Sequence, residues 1–302
     1  MISPTELTTI RDYIRFATSK FNEVGLYYGH GTDNAWDDAS ALILHSLHLP
    51  HNINPTVLDA HLTKEERNKL LDLINQRMTK RVPVAYLTHE AWFSGLSFYV
   101  DERVLIPRSP IAELIDNQFE PWIASEEITD ILDLCTGSGC IAIACAKAFP
   151  MANVDASDIS ADALAVAKIN VLRHNAEDQV HLHQSDLFNE LPLKKYNIIV
   201  SNPPYVSADE MATLPNEYLH EPALGLAAGS EGLDIALRIL KDASRYLKED
   251  GILIVEVGNS EIGLVERFPE IPFTWLEFQN GDGGVFLLTS EQLREVVKEL
   301  QE

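Results

Sequence analysis

Apolar residues recur at helical spacing through the first eighty positions and give way to strand-like runs beyond residue 129. Pro4 to Lys20, Ala35 to His48 and Lys64 to Lys80 each carry a helical pattern between short polar breaks, and Leu70, Leu71 and Ile74 make an apolar stripe on the last. The spacing predicts a helical domain over residues 1–82. Tyr86 to Val100 reads as a short hairpin with Gly95 near its turn, which makes 83–108 a linker, and Pro107 to Trp122 reads as a helix leading into a second domain, 109–302. There strands alternate with helices at Ser138 to Ala148 and Ala161 to His174. Gly251 to Val257 is a continuous apolar run suited to a buried strand. Trp275 to Phe278 and Val285 to Thr289 predict a hairpin around Asn280 to Gly284, and Glu291 to Glu302 a closing acidic surface helix. The order implies an α/β fold with a mostly parallel sheet and one antiparallel strand.

Four polar sites fall where predicted strands end, the edge at which open α/β sheets bind ligands. Thr129 to Ala144 reads as strand, glycine turn and helix. Its turn, Cys135, Thr136, Gly137, Ser138 and Gly139, lets backbone approach a ligand, and the following helix N-terminus favours a carboxylate or phosphate. Cys135 and Ala142 stand where a dinucleotide fingerprint has glycine, which weakens a pyrophosphate reading. Asp158 ends the second strand at the spacing of a ribose-binding acid, with helix capping as the competing role. Asp186, followed by Leu187 and Phe188, ends the third and suits an adenine, or is ordinary loop chemistry. The fourth site is Asn202-Pro203-Pro204-Tyr205. Its prolines donate no hydrogen bond and restrict their neighbours, so the Asn202 side-chain oxygen and the Pro203 carbonyl can be held as two acceptors for one NH2 group, with the Tyr205 ring to cover a flat amide or base; an ordinary Pro-rich loop after a strand is the competing reading.

Taken together these sites resemble the class I methyltransferases that use S-adenosylmethionine, and in particular the glutamine N5-methyltransferases of ribosomal proteins and release factors. The likeness extends to Val104 to Arg108 with Glu113, to Glu221 to Gly229 and to Gly232 to Asp234. Tyr28 to Trp36, Pro107 to Pro110 and the Cys135 variant of the turn are similar to the branch acting on large-subunit ribosomal protein L three. The resemblance implies a doubly wound seven-stranded sheet. It implies S-adenosylmethionine held by Cys135, Thr136, Gly137, Ser138, Gly139, Asp158, Asp186, Leu187, Phe188 and Asn202. It implies a substrate clamp of Asn202, Pro203, Pro204 and Tyr205, with Asn202, Pro203 and Tyr205 catalytic. It also makes the helical domain the substrate-recognition part, although the residues alone leave a packing or dimerisation role open.

Charge bears on the substrate. The chain has 46 acidic against 23 basic side chains, a formal net charge of -23. A DNA adenine-N6 methyltransferase shares the Asn-Pro-Pro-Tyr clamp but needs a basic footprint, so a basic ribosomal protein is the expected partner and DNA is not, with ordinary solubility charge as the competing reading of the acidic surface. Release-factor methylation and a non-catalytic assembly factor remain alternatives. Cys135, Cys140 and Cys145 are spaced for neither a zinc site nor a disulfide framework, so no metal is expected. No apolar run is long enough to span a bilayer and no signal-peptide pattern opens the chain, so the expected location is the cytoplasm.

Overall fold

Thr9 sets the start of the first helix. In the computed structural model, which describes residues 6–279 and 283–299, its hydroxyl accepts from the Asp12 amide at 3.1 Å and Asp12 Oδ2 accepts from the Thr9 amide at 2.9 Å. This capping box places α1 at Ile10–Glu23, later than the expected start at Pro4. Asn34 caps α2 (Ala35–Ser46), and Thr63 with Glu66 caps α3 (Lys64–Lys80); α4 is Val84–Thr88. Tyr13, Phe21, Leu42, Ile43, Leu70 and Ile74 form the core of these helices. Each such burial contributes roughly 1.5–3 kcal/mol.

The first compact unit comprises the described residues up to Ala91 together with Pro215–His220, a segment far along the chain. A buried charge network explains the insertion. Arg77, 1% exposed, donates from Nε to Asp38 Oδ2 at 2.8 Å. Glu217 is fully buried, and its Oε1 accepts from Arg81 Nη1 at 2.8 Å and from the Tyr27 amide at 3.0 Å. The buried Arg77 has its carboxylate in Asp38, and the distant segment brings a second one, Glu217, to the partly exposed Arg81.

The second unit is Trp92–Leu214 with the described residues from Glu221 onward. Ahead of its sheet, β1 (Ala91–Phe93) and β2 (Leu96–Phe98) pair around Ser94 and Gly95, both at positive φ. The helix expected over Pro107 to Trp122 is only α5 (Ile111–Asp116). Gln118 and Phe119 have φ of 53° and 58°, which ends it and turns Phe119 inward to stack on Phe149. Then follow β3 (Asp130–Leu134), α6 (Cys140–Ala148), β4 (Asn153–Asp158), α7 (Ala161–Arg173), β5 (Val180–Gln184), β6 (Tyr196–Ser201), α8 (Ala208–Met211), α9 (Asp234–Ala243), β7 (Leu247–Glu256), α10 (Glu261–Arg267), β8 (Thr274–Trp275), β9 (Val285–Thr289) and α11 (Ser290–Glu299).

The seven strands lie in the order β5-β4-β3-β6-β7-β9-β8, and β9 runs antiparallel to both its neighbours. The expected turn at Asn280 to Gly284 falls largely on 280–282, outside the described residues. Both faces are covered: Ile131, Ile198, Val200 and Ile252 point to one core layer, while Leu132, Ile199, Leu253 and Val255 point to the other. Helix α11 is more than an acidic surface cap, since Leu293 and Val296 are fully buried in the second layer. The chain builds β3, β4 and β5 outward, then returns to the other side of β3 with β6. The crevice at this reversal opens between the C-terminal ends of β3 and β6.

Candidate active site

The glycine turn leaves β3 and the Asn-Pro-Pro-Tyr corner leaves β6, so strand pairing brings them together. Leu134 is in register with Ser201, whose hydroxyl donates to the Leu134 carbonyl at 2.8 Å. Beside them lies a cavity lined by Cys135, Thr136, Gly137, Ser138, Asp158 and Asn202.

Backbone conformation shapes the turn. Cys135 has φ 60°, the left-handed region that glycine adopts without strain, so the chain keeps the turn despite the substitution. At Gly137 (φ 53°) a Cβ would meet nothing within 4 Å, which leaves bare backbone facing the cavity. Gly139 has a different task. It does not line the cavity, and a Cβ there would lie 3.2 Å from Ala167 Cβ, so its absence lets α6 approach α7.

Carboxylates hold the turn from two sides. Asp158 Oδ2 accepts from the Gly137 amide at 2.9 Å and Oδ1 from the Ser160 amide at 2.9 Å. The hydroxyl of Ser160, not Asp158, caps α7. Burial raises the Asp158 carboxyl against the pull of these amides. Asp133, which the sequence reading passed over, is fully buried under the turn: Oδ2 accepts from Thr136 Oγ1 at 2.5 Å and from the Ala142 amide at 3.1 Å. Burial, aided by the charge of Asp158 and opposed by those two bonds, pushes its carboxyl up to about 7. Burial also pushes the Cys140 thiol up to about 12, and the three cysteines are free.

At the third strand end the expected residues separate. Leu187 has φ 56° and lines the cavity with Asp186. Phe188 does not; it stacks on Tyr246, ring centroids 4.6 Å apart, inside the core. A left-handed residue between them sends successive side chains to different places. Asp186 Oδ2 accepts from Arg238 Nη2 at 2.7 Å, which adds Arg238, also a lining residue, to this end of the site. Asn202 and Pro204 line the cavity, whereas Pro203 and Tyr205 are not among its lining residues.

The rest of the lining comes largely from two stretches to which the sequence assigned no role in the site. These are residues 103–109 and Pro222, Leu224, Gly225 and Ala227. They are joined by Glu221, whose Oε1 and Oε2 accept from Arg108 Nη1 and Nη2 at 2.6 and 2.8 Å, while Oε1 also accepts from the Ile106 amide at 3.0 Å. A bidentate pair of this kind fixes geometry as well as charge.

Residues 121–231 match the family model "Methyltransferase small domain". The chain is 54% identical over 288 residues to the ribosomal protein uL3 glutamine methyltransferase of Xanthomonas campestris, covering 95% of this chain and 93% of that one. It is 52% identical to that of Neisseria meningitidis, over 95% of each chain. The chain belongs to the ribosomal protein uL3 glutamine methyltransferases. Among solved structures, the catalytic domain of hMettl16 shares the fold with a TM-score of 0.53 at 18% identity, over 79% of this chain and 87% of that one.

The residues of this uL3 glutamine methyltransferase family member fit S-adenosylmethionine. The open side of Gly137 leaves room for the amino-acid part against bare backbone. Each Asp158 oxygen spends one acceptor position on an amide and retains another for a ribose hydroxyl. Leu187 and Ile159 offer apolar surface to a base, with Asp186 beside them as acceptor. Among the described residues no group of three or more His, Cys, Asp or Glu is placed to hold a metal ion, and no helix is long and apolar enough to cross a membrane.

Proposed function

We propose that this methyltransferase transfers a methyl group from S-adenosylmethionine to the side-chain amide nitrogen of a glutamine in ribosomal protein uL3. The observation that carries this reading is that Asn202 and Pro204 share one cavity with Gly137 and Asp158, so an amide held at the corner lies beside a cofactor held by the turn. Relatives 49–54% identical over 95% of the chain bear that activity in their names.

The chemistry explains why a rigid corner is needed. An amide nitrogen is a poor nucleophile because its lone pair is shared with the carbonyl. The bound cofactor supplies an electrophilic sulfonium methyl. As the amide nitrogen bonds to the methyl carbon and the carbon–sulfur bond breaks, S-adenosylhomocysteine is left and positive charge grows on the amide hydrogens. Those hydrogens are assigned to the Asn202 side-chain oxygen, which lines the cavity, and to the carbonyl of Pro203, which links the lining residues Asn202 and Pro204 without lining it in this structure; their bonds strengthen as the charge develops. The extra proton then passes to water, and no histidine is required. Much of the rate comes from aiming the nitrogen at the methyl. Tyr205 acts from behind the corner.

The helical unit is assigned to substrate recognition. The net charge of -23 favours a basic ribosomal protein over DNA and steers its approach, and such a substrate places the reaction in the cytoplasm. The test is peptide mass spectrometry after incubating the protein and S-adenosylmethionine with uL3, a release factor and duplex DNA in parallel. One methyl on a uL3 glutamine is expected. Product on the release factor alone would reassign the substrate, and product on DNA would overturn the charge argument.

A further inference from the structure

Tyr205 is fixed from several directions although it does not line the cavity. A Cβ at Gly258 would lie 2.6 Å from its ring, and one at Gly232 would lie 2.2 Å from its carbonyl oxygen, so both neighbours must be glycine for the residue to sit where it does. Its carbonyl accepts from Ser260 Oγ at 3.0 Å. Its hydroxyl donates to Glu256 Oε1 at 3.0 Å. Glu256 ends β7, the strand beside β6, and is only 5% exposed. Its other oxygen, Oε2, accepts from Ser109 Oγ at 2.5 Å, and Ser109 Oγ in turn accepts from the Ile111 amide at 3.2 Å at the start of α5. Ser109 and Asn202 both line the cavity.

A carboxylate buried this deeply is costly unless its lone pairs are used, and here they tie Ser109 of the cavity lining to Tyr205 of the corner. We propose that Glu256 is a positioning residue for methyl transfer: with Ser109 and Tyr205 it forms a buried hydroxyl–carboxylate–hydroxyl bridge that sets the Asn202–Tyr205 corner against the Pro107–Ser109 wall. Burial raises the Glu256 carboxyl, and the bonds from Ser109 and Tyr205 together with the charge of Arg108 oppose that rise. Asn202 is separated from Tyr205 only by two prolines, whose φ is fixed, so an anchor on Tyr205 is transmitted to Asn202 with little slack. Glu256 touches neither reacting atom. Its effect is on where the two amide acceptors stand.

This inference rests on the glutamine methylation proposed above, and the test separates the two. Glu256→Ala, Glu256→Gln, Ser109→Ala and Tyr205→Phe are prepared in the full chain. For each, kcat and KM for uL3, S-adenosylhomocysteine affinity by calorimetry and backbone hydrogen exchange are measured. Glu256→Ala is expected to lower kcat on the order of 10²-fold, the scale of a small misplacement of the reacting groups, with cofactor affinity within about twofold of wild type. Glu256→Gln, which keeps an acceptor, recovers part of that loss, and the two hydroxyl deletions fall between. Exchange at the Tyr205 and Val206 amides quickens in Glu256→Ala while that of the glycine turn does not. Wild-type kcat in Glu256→Ala, or an equal loss of cofactor affinity, overturns the positioning role. Unchanged exchange at Tyr205 and Val206 overturns it even if uL3 proves not to be the substrate. A wild-type protein inactive on uL3 overturns the substrate reading alone. Should Glu256→Ala fail to fold, Ser109→Ala and Tyr205→Phe decide by the same readouts.

Discussion

The Gly137 amide donates to Asp158 Oδ2 at 2.9 Å, so the turn after β3 and the acid that ends β4 are one structural unit. The carboxylate that would meet the ribose also holds the backbone that would meet the methionine part. On that assignment, cofactor binding and turn geometry would be coupled through a single side chain.

Asp158→Ala removes both roles. Charge-assisted hydrogen bonds of this kind contribute about 1.5–3 kcal/mol each, so S-adenosylhomocysteine affinity is expected to fall by roughly 10–10²-fold or more. Asp158→Asn, which keeps one acceptor oxygen, is expected to lose less. Calorimetric titration checks both, and wild-type affinity in Asp158→Ala would show that the cofactor is held elsewhere.

Asn202→Ala separates chemistry from cofactor binding. Loss of one preorganised group that meets developing charge costs on the order of 10²–10³ in rate. Cofactor affinity is expected to stay near wild type, because Gly137 and Asp158 are untouched. Single-turnover methylation at saturating cofactor is the measurement. Wild-type turnover would end the clamp hypothesis.

The contrast between Asp158 and Asp133 shows what the sequence could and could not reveal. The place of Asp158 at the end of β4, beside the glycine turn, was legible because strand and helix alternate at the spacing of such units, and that alternation carried the sheet with it. Asp133 sits mid-strand in an apolar run, and nothing in its neighbours says that it is buried and bonded to a turn it precedes. Leu187 and Phe188 are adjacent apolar residues, yet a positive φ at Leu187 parts them. Glu217 lies 136 residues from Arg81, so only the fold reveals that the segment carrying it belongs with the helices. Helix α11 is a plain misjudgement of pattern: Leu293 and Val296 are one turn apart, and that spacing already indicated a buried stripe.

Glu217→Ala is the corresponding test for the helical unit. It takes the carboxylate from Arg81, whose side chain is partly exposed, while the buried Arg77 keeps Asp38, so the expected cost lies below the roughly 3–5 kcal/mol of a buried ion pair broken from one side. Hydrogen exchange in α1 to α4 is expected to quicken, with a lowered denaturation midpoint. Exchange unchanged in those helices would mean that the inserted segment is not a support for them.

Asp133 gives the pH prediction. Its folded-state carboxyl is pushed up to about 7, whereas an unfolded aspartate titrates near 3.9, roughly its free value. Between those limits the native state holds a proton that the unfolded state has lost, so stability falls as pH rises from about 4 to about 7 and is flat beyond. The scale is on the order of a few kcal/mol. Asp158 and Glu256, also raised, act with the same sign, while His45 and His174, both lowered chiefly by burial, act with the opposite one. Comparison with Asp133→Asn cancels these shared contributions and removes only the proton on Asp133. The variant's melting temperature relative to wild type is therefore expected to rise from pH 5 to pH 8, the window to scan by calorimetry. A constant difference across that window would mean that Asp133 keeps one protonation state throughout, and that the Thr136 and Ala142 hydrogen bonds outweigh its burial.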